Sequence, residues 1–345
     1  MKNFKLSILV AMIFLLFCSM AWVKLNILQP ALVVLPAHIR NIAVIDRTVA
    51  EETRDNKTEE LLTGELFKQD EQAVMRAIDG TIEVCGEYNL YHIIRTAERY
   101  KGGGTKTTFP APMDWIKVSD LCQKHQADAL LSVEIFDSDF IVTNPVSVAR
   151  QVLEGRVLTG GGFHVTAVAV INYGVRLYDP SDKTILDEYH VTHRLNFEGG
   201  GTTPQDAFNH LLNKIEAVNQ TGYAAGRLYG ERISPSWYTV TREFYNRPKR
   251  NNDLRVGVRK SEVADWNGAI ESWTRALNAK RRIAGRAAFN IAVAYEVLGD
   301  LEKAREWASK SYVEFNEKRG NDYYNILVYR IREEAEIRRQ VPVSE

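Results

Sequence analysis

The chain has 345 residues, of which 45% are hydrophobic, 26% charged and 10% aromatic. This length is typical of about two domains, and the composition is that of folded globular protein, which excludes a wholly disordered chain. Lys plus Arg and Asp plus Glu are each 44, so the formal net charge is zero and binding of nucleic acid through bulk charge is not expected. Three cysteines are too few for a disulfide scaffold and lack the spacing of zinc ligands, so we expect no metal and no cofactor.

The N-terminus has the pattern of an export signal. Lys2 and Lys5 precede the apolar run Leu6–Phe17, whose only polar residue is Ser7. We therefore expect residues 1–21 to be a signal, lipoprotein or anchor segment. The bulk of the protein is then exported to the bacterial cell envelope, as an outer-membrane or periplasm-facing lipoprotein.

Three fates of this segment are consistent with the sequence. Cys18 closes the apolar run at the place of a lipoprotein's lipidated cysteine, although Phe17 stands where a small residue is expected. Ser19-Met20-Ala21 offers a rival site for cleavage after Ala21. Leu6–Val23 is about 18 mostly apolar residues, near the lower limit for an uncleaved membrane anchor. Our prediction is lipidation at Cys18.

Residues 22–246 are predicted to form an α/β domain that begins with an extended lead-in over 22–36. Strand and helix patterns then alternate, which favours a sheet covered by helices. The predicted elements are a strand at 41–46, a loop at 47–60, a helix at 69–86, a strand at 88–94, a loop at 96–112, a helix at 114–124 and a strand at 127–136.

The following segments predict antiparallel structure on the same sheet. Residues 163–177 and 184–195 alternate in polarity around Asp179-Pro180-Ser181-Asp182, which is typical of a long hairpin. A long helix is expected over 204–229, with Thr203 as its cap and Pro204 in its first turn, and a closing strand over 236–245. The fold class is therefore α/β (α+β) with a mixed sheet, and residues 247–259 are predicted to be a hinge.

Residues 260–340 are predicted to be entirely helical and internally repeated. Asp265-Trp266-Asn267-Gly268-Ala269-Ile270 aligns with Asp300-Leu301-Glu302-Lys303-Ala304-Arg305 at a spacing of about 35 residues. This pattern resembles a tetratricopeptide repeat. The resemblance is good for 285–315 and partial for the preceding unit, and 323–339 would be a polar capping helix.

Packing gives the physical reason for the repeat pattern. Small side chains at Ala292, Ala304 and Ala308 let paired helices approach closely, and Tyr295 fills the space between them. Gly299-Asp300 makes the turn between the two helices.

The whole chain also resembles an uncharacterised family of envelope lipoproteins from Bacteroidota. The matching motifs are Leu28-Gln29-Pro30, Ile42-Ala43-Val44-Ile45-Asp46-Arg47-Thr48, Ala127-Asp128-Ala129-Leu130-Leu131-Ser132, Glu231-Arg232-Ile233-Ser234-Pro235 and the repeat-bearing C-terminus. The resemblance implies export and lipidation but no activity, so it supplies no catalytic residues. The element order of 40–245 is also similar, at fold level, to curli-type secretion lipoproteins.

Three glycine triplets are interpreted as flexible connections: 102–104, 160–162 and 199–201. Glu134, Asp137 and Asp139 are interpreted as a solvated strand end rather than an acid/base pair. Neither pattern contains a recognised catalytic or phosphate-binding motif.

The cysteines and histidines give equally weak signals. Cys122 and His125 have helical spacing and could be nucleophile and base, but Cys122 fits the apolar face of its helix. Cys85 and Cys122 are expected to be buried thiols, with a disulfide as the alternative. His190 and His193 lie three apart on a strand and therefore point to opposite faces.

The helical module carries the residues for which we predict partner binding in a repeat groove. They are Lys280, Arg281, Arg282, Arg286, Asn290 and Tyr295. This cluster and Lys249-Arg250 are modestly basic, which is typical of a solvated helix surface; the functional alternative is contact with an acidic protein segment or lipid headgroups.

These observations favour a non-enzymatic, membrane-tethered envelope protein that acts as a scaffold or adaptor. The expected partners are an unidentified envelope protein, and the membrane through the N-terminus. The first alternative is a homo-oligomeric subunit of an envelope secretion or surface-assembly complex. The second is a hydrolase with an unrecognised site in the glycine-rich loops.

Overall fold

The computed structural model describes residues 20–49, 66–102, 107–144, 146–148, 151–153, 156–159, 162–246 and 251–341. They form two compact units. The sheet unit is Ala31–Ser236, and the helical unit joins the chain up to Pro30 with the chain from Trp237 onward. No helix in the described ranges is both long and apolar enough to cross a membrane.

The strands are β1 (Met20–Gln29), β2 (Asn41–Val49), β3 (His92–Lys101), β4 (Ala129–Val142), β5 (Val146–Val148), β6 (Gln151–Leu153), β7 (Arg156–Thr159), β8 (Gly162–Asp179), β9 (Thr184–Gly201) and β10 (Ser236–Tyr245). The helices are α1 (Leu66–Gly86), α2 (Trp115–His125), α3 (Pro204–Asn209), α4 (Lys214–Ile233), α5 (Asn252–Glu262), α6 (Trp266–Ala276), α7 (Arg281–Val297), α8 (Leu301–Val313) and α9 (Lys318–Gln340).

The sheet unit is built on a mixed sheet, which confirms the predicted fold class. Its strand order is β3-β2-β4-β8-β5, with β9 paired to β8. Strand β2 is parallel to β3 and β4, whereas β8 is antiparallel to β4 and β9. The predicted hairpin is present as β8 and β9, each of 18 residues.

Two hydrophobic cores lie on opposite faces of this sheet. Successive side chains of β2 point to opposite faces of the sheet. Ile42 and Val44 pack in the core that contains α1 and α4. Ala43 and Ile45 pack in the core beneath α2. Cys85 belongs to the first core and Cys122 to the second, so the sheet separates them and both are buried free thiols.

Helices α1 and α4 pack with their backbones almost in contact. A Cβ atom added at Gly226 would lie 1.7 Å from the carbonyl oxygen of Ala77, and one at Gly80 would lie 2.2 Å from that of Tyr223. The Thr81 hydroxyl donates a hydrogen bond to the Gly226 carbonyl (2.9 Å). Glycine is therefore required at these positions because no side chain fits between the helices.

Two predictions for residues 199–229 are wrong in part. The helix predicted over 204–229 is divided into α3 and α4, because the Asn213 side chain caps a new helix by accepting from the Glu216 amide. Thr203 does cap α3, with Pro204 in its first turn. The triplet 199–201 is not a flexible loop, since it forms the end of β9 and pairs with residues 163–165 of β8. The other two triplets lie partly outside the described residues.

The helical unit contains α5–α9 and a two-stranded ribbon of β1 and β10. Both strands were predicted within the α/β domain, but they belong to the helical unit because they pair with each other and pack on its core. Most of the predicted hinge is helical too, since α5 begins at Asn252.

The two aligned sequence segments occupy equivalent positions in this unit. Asp265 and Asp300 each cap a helix, α6 and α8, by accepting from the amide three residues later. The preceding residues, Ala264 and Gly299, both have left-handed backbones, with φ of 61° and 82°. Ala292, Ala304 and Ala308 are fully buried, as the packing pattern predicts.

Candidate functional site

Three of the predicted partner-binding residues form an exposed basic cluster at the start of α7. Lys280 is the residue before the helix, and Arg281 and Arg282 begin it. The first turn contains no acidic residue, and no side chain caps it. Within the described chain, none of the three has a carboxylate at ion-pair distance. Because the N-terminus of a helix is itself positive, this cluster strengthens a local positive potential.

Arg286 and Tyr295 are half-buried farther along α7. The Arg286 guanidinium lies 4.6 Å from the ring centroid of Tyr245, and the Lys303 ammonium lies 5.5 Å from that of Tyr295. Each aromatic ring is therefore already covered by a cation of the same unit.

Asn290 is not a surface residue, contrary to its predicted place in a groove. Its side chain is fully buried and acts as a bridge to the end of β10. The Tyr245 amide donates to Asn290 Oδ1 (2.8 Å), and Asn290 Nδ2 donates to the Tyr245 carbonyl (2.8 Å). The amide group thus satisfies both backbone groups of a buried strand residue, which gives it a structural role.

A buried carboxylate, Glu296, connects β10, α7 and α9. Arg242 Nε donates to Glu296 Oε2 (2.9 Å) and Arg242 Nη2 to Oε1 (3.2 Å). Arg330 Nη1 and the Tyr323 hydroxyl donate to the same carboxylate. Burial and the neighbouring Glu296 charge hold the pKa of Tyr323 well above its usual value. We call these four residues the Glu296 cluster.

Two surface clefts are present among the helices α7–α9. One, of about 500 Å³, is lined by Leu298, Gly299, Asp300, Leu301, Glu302, Ile331, Glu334, Ala335 and Arg338. The other, of about 460 Å³, is lined by Arg305, Glu306, Ser309, Lys310, Val313, Glu314 and Tyr324. The six predicted partner-binding residues line neither cleft, so the basic cluster at the start of α7 is a separate surface.

The outer side of the β1–β10 ribbon exposes two large aromatic side chains. Trp22 is 65% exposed and Trp237 is 56% exposed. Lys24 follows on the same side of β1, with its ammonium 6.0 Å from the Trp22 ring centroid. Residue 20 is the first described residue, so Cys18 lies outside the described residues.

The sheet unit has a charged network that joins β2, β4 and β8. Glu134 is not solvated, contrary to the prediction, because it is buried and bonded on both oxygens. Its Oε1 accepts from the Tyr178 hydroxyl (2.7 Å) and from Arg47 (3.2 Å), and its Oε2 accepts from Arg176 (2.7 Å). Burial, and then the hydrogen bond to Glu134, raise the pKa of Tyr178 to about 12. Asp139 is exposed, as predicted.

This network lies between the two strands at which the sheet changes the face covered by the connecting helix. Helices α1 and α2 cover opposite faces, so the chain changes face between β2 and β4, and ligands usually bind at the carboxyl ends of such strands. Glu134 is the sixth of the 14 residues of β4, so the network lies within the sheet rather than at that ligand-binding end. Arg176 also donates to the Pro110 carbonyl (2.7 Å), which ties the segment before α2 over the network. The buried Glu134 and its partners therefore hold the strands and the segment before α2 together and do not form an open binding site.

The Cys122–His125 pair has no features of an activated nucleophile. Burial raises the pKa of the Cys122 thiol to about 12, with Asp128 and Asp179 contributing in the same direction. A nucleophilic cysteine needs the opposite shift, because the thiolate is the reactive form. His125 lies instead beside Glu98, at 3.4 Å.

Sequence reasoning missed the Glu296 cluster and the true role of Glu134. The only signal was the presence of charged residues inside otherwise apolar segments, Glu134 within 127–136 and Glu296 within 285–315. Their arginine partners lie at least 34 residues away along the chain, so no local pattern indicates them.

The fold therefore defines a two-unit protein with a mixed-sheet unit and a C-terminal helical unit. Residues 39–245 match a family model described as Domain of unknown function (DUF8603), and the chain belongs to this family. Residues 255–332 match a second model, Domain of unknown function (DUF6340). No curated protein matches the chain.

Several solved structures are distantly similar. A neuraminyllactose-binding hemagglutinin homolog from Helicobacter pylori is 9% identical, with 58% of this chain and 85% of that chain covered and a TM-score of 0.25. A PelC dodecamer from Paraburkholderia phytofirmans is 11% identical, with 60% and 96% covered and a TM-score of 0.19. Similarity at this level carries no argument about function.

Proposed function

We propose that the protein is a non-enzymatic envelope lipoprotein that is tethered to a membrane through Cys18 and binds a protein partner through its helical unit. The observation that carries the tether is the position of β1. Met20 and Ala21 of β1 pack on the core of the helical unit, so residues two and three positions after Cys18 are part of the described fold. A lipid on Cys18 would therefore hold the protein close to β1.

The packing of β1 supports one of the three fates of the N-terminal segment over the other two. Cleavage before Cys18 leaves β1 whole. Cleavage after Ala21 removes Met20 and Ala21, both of which pack on the core of the helical unit. An uncleaved anchor could not include the residues that form β1, so only about 14 residues would remain for it. As a helix they would span roughly 21 Å, which is shorter than the hydrocarbon core of about 30 Å. Lipidation at Cys18 agrees best with the fold, although Phe17 departs from the usual lipoprotein signal.

The helical unit supports the binding part of the proposal. Its two helix pairs repeat the same Asp-capped turn about 35 residues apart, which is what a tetratricopeptide-like stack requires. We propose that the chain is a repeat-bearing lipoprotein of the Bacteroidota type that its motifs resemble. Such stacks present surfaces to peptides and other protein segments.

The basic cluster at the start of α7 indicates the chemistry of the partner. Three cations beside a positive helix end repel one another and disfavour the helix, so their placement is costly unless an acidic group binds there. We therefore propose an acidic segment of an envelope protein as the partner, contacted by Lys280, Arg281 and Arg282. Asn290 is excluded from this surface by its burial.

Site-specific photo-crosslinking of the full chain in cells tests the binding part. A crosslinker at Arg281 should capture an envelope protein, and replacing Lys280 and Arg282 with Glu should abolish that product. A crosslinker at Glu271, which is exposed on α6, is the matched control and should not capture the same product. Equal capture at both positions, or capture that survives the charge reversal, would contradict the proposal.

A second candidate, a subunit of a secretion or surface-assembly complex, is supported by one observation. Strand β9 has 18 residues and, in the part of the chain that the structure describes, pairs only with β8. A long free edge offers backbone groups to a second chain. Native mass measurement of the detergent-extracted protein decides, because this candidate requires a stable assembly of many copies.

A further inference from the structure

The ribbon face next to the tether carries an exposed aromatic side chain that the fold of the helical unit does not use. Side chains on the other side of β1 pack inward, as Ile27 shows with 4% exposure and Val23 by its contact with the helical core. Trp22 points the other way and is 65% exposed. Trp237 is exposed on the same side of the ribbon, so two large aromatic side chains leave apolar area in water there.

The positive charge beside Trp22 indicates what kind of ligand this surface contacts. Lys24 is the only charged residue of β1, and its ammonium lies 6.0 Å from the Trp22 ring centroid. Across the described ranges, no carboxylate lies within ion-pair distance of Lys24. Tryptophan and lysine together are characteristic of the membrane–water interface, where the indole ring lies among the headgroups and the ammonium meets lipid phosphates.

The length of chain between Cys18 and Trp22 restricts where Trp22 can be. Four residues span at most about 14 Å when fully extended. Each headgroup layer is about 5–8 Å thick, from the difference between the whole bilayer and its hydrocarbon core. A chain held at Cys18 therefore keeps Trp22 within reach of the headgroups without any further movement of the protein.

We infer that the face of β1 carrying Trp22 and Lys24 inserts into the headgroup layer of the membrane and prefers anionic lipid there. This inference rests on the proposed tether at Cys18. It adds a second membrane contact, which fixes how β1 approaches the membrane instead of leaving it on a free lipid anchor.

Tryptophan quenching by brominated lipid tests the inference. The full chain, purified from membranes, is reconstituted into vesicles of brominated phosphatidylcholine with and without phosphatidylglycerol, and flotation verifies that it is bound. Because Trp237 is exposed on the same side of the ribbon, all chains in this experiment carry Trp237→Phe. Trp22 is then one of five tryptophans, so we expect brominated lipid to quench up to about one fifth of the emission. Trp22→Phe should abolish this quenching. Trp307→Phe is the matched control and should retain it, because Trp307 is half-buried in α8 beneath Lys310.

Lys24→Gln tests the lipid preference separately, and should remove the increase in quenching that phosphatidylglycerol causes. A chain that floats with the vesicles but shows the same quenching with Trp22 and with Phe at that position refutes the inference and leaves the tether intact. A chain that does not float refutes the tether, and the inference with it. If Trp22 binds another kind of ligand instead, such as a glycan, the chain floats with the vesicles and Trp22→Phe does not change the quenching.

Discussion

Removing the carboxylate of Glu296 should destabilise the helical unit more than any change of an exposed charge. In the wild-type protein this buried group accepts hydrogen bonds from Arg242, Arg330 and Tyr323. Glu296→Ala leaves two guanidinium groups and a phenol without their acceptor inside the unit. Breaking a buried ion pair by removing one partner costs about 3–5 kcal/mol.

The structure places the expected cost at the lower end of that range. The side chains of Arg242 and Arg330 keep 14% and 13% exposure, so water replaces part of the lost interaction. We expect about 3 kcal/mol for Glu296→Ala, and about 1–2 kcal/mol for Glu296→Gln, which keeps the shape and one carbonyl acceptor.

Urea unfolding monitored by tryptophan fluorescence measures this effect directly. Five of the six tryptophans, Trp22, Trp237, Trp266, Trp273 and Trp307, lie in the helical unit, so the signal reports mainly on that unit. Glu302→Ala is the control, because Glu302 is 58% exposed and, among the residues that the structure describes, forms an ion pair with Arg305 alone, on the same helix face. Its effect should stay within about 0.5 kcal/mol. Equal unfolding midpoints for Glu296→Ala and Glu302→Ala would refute the reasoning.

Three further predictions follow from individual contacts. Ala264→Gly should stabilise the helical unit by about 0.5–1 kcal/mol in thermal unfolding, because Ala264 has a φ of 61° that only glycine adopts without strain; a lower midpoint would contradict this. Gly226→Ala should destabilise the sheet unit by about 3 kcal/mol or more, whereas Gly86→Ala, with open space around its Cβ position, should be nearly neutral by circular dichroism. Burial raises the pKa of the Cys85 and Cys122 thiols to about 12, so neither should react with a thiol reagent at pH 8 until urea unfolds the chain, and rapid labelling of either would show that the packing is wrong.

Local sequence patterns predicted those elements whose signals are local. The apolar run at 41–46 is a buried central strand, and the turn at residues 179–182 joins the two long strands as expected. The Gly-Asp pattern at residues 299–300 marks a helix turn because Gly299 supplies a positive φ and Asp300 caps the next helix. In each case the residues that determine the structure are neighbours in sequence.

The remaining features depend on contacts between distant residues. Strand β1 pairs with β10 about 200 residues later, so no local pattern indicates that both belong to the helical unit. The local sequence predicts a solvated Glu134, because its partners, Arg47 and Arg176, lie 87 and 42 residues away along the chain. The prediction of one long helix over 204–229 is wrong for a different reason. The apolar periodicity is continuous through this segment, but the Asn213 side chain caps a new helix and so divides it in two.

The central claim is that the folded protein is held to a membrane by a lipid on Cys18. Metabolic labelling with a radioactive fatty acid, combined with membrane fractionation of wild type and Cys18→Ala, tests it most directly. We expect the wild type to be labelled and to fractionate with the membrane, and the variant to do neither. Membrane association of both chains without any label would show that the apolar segment is an uncleaved anchor, and two soluble, unlabelled chains would contradict the tether altogether.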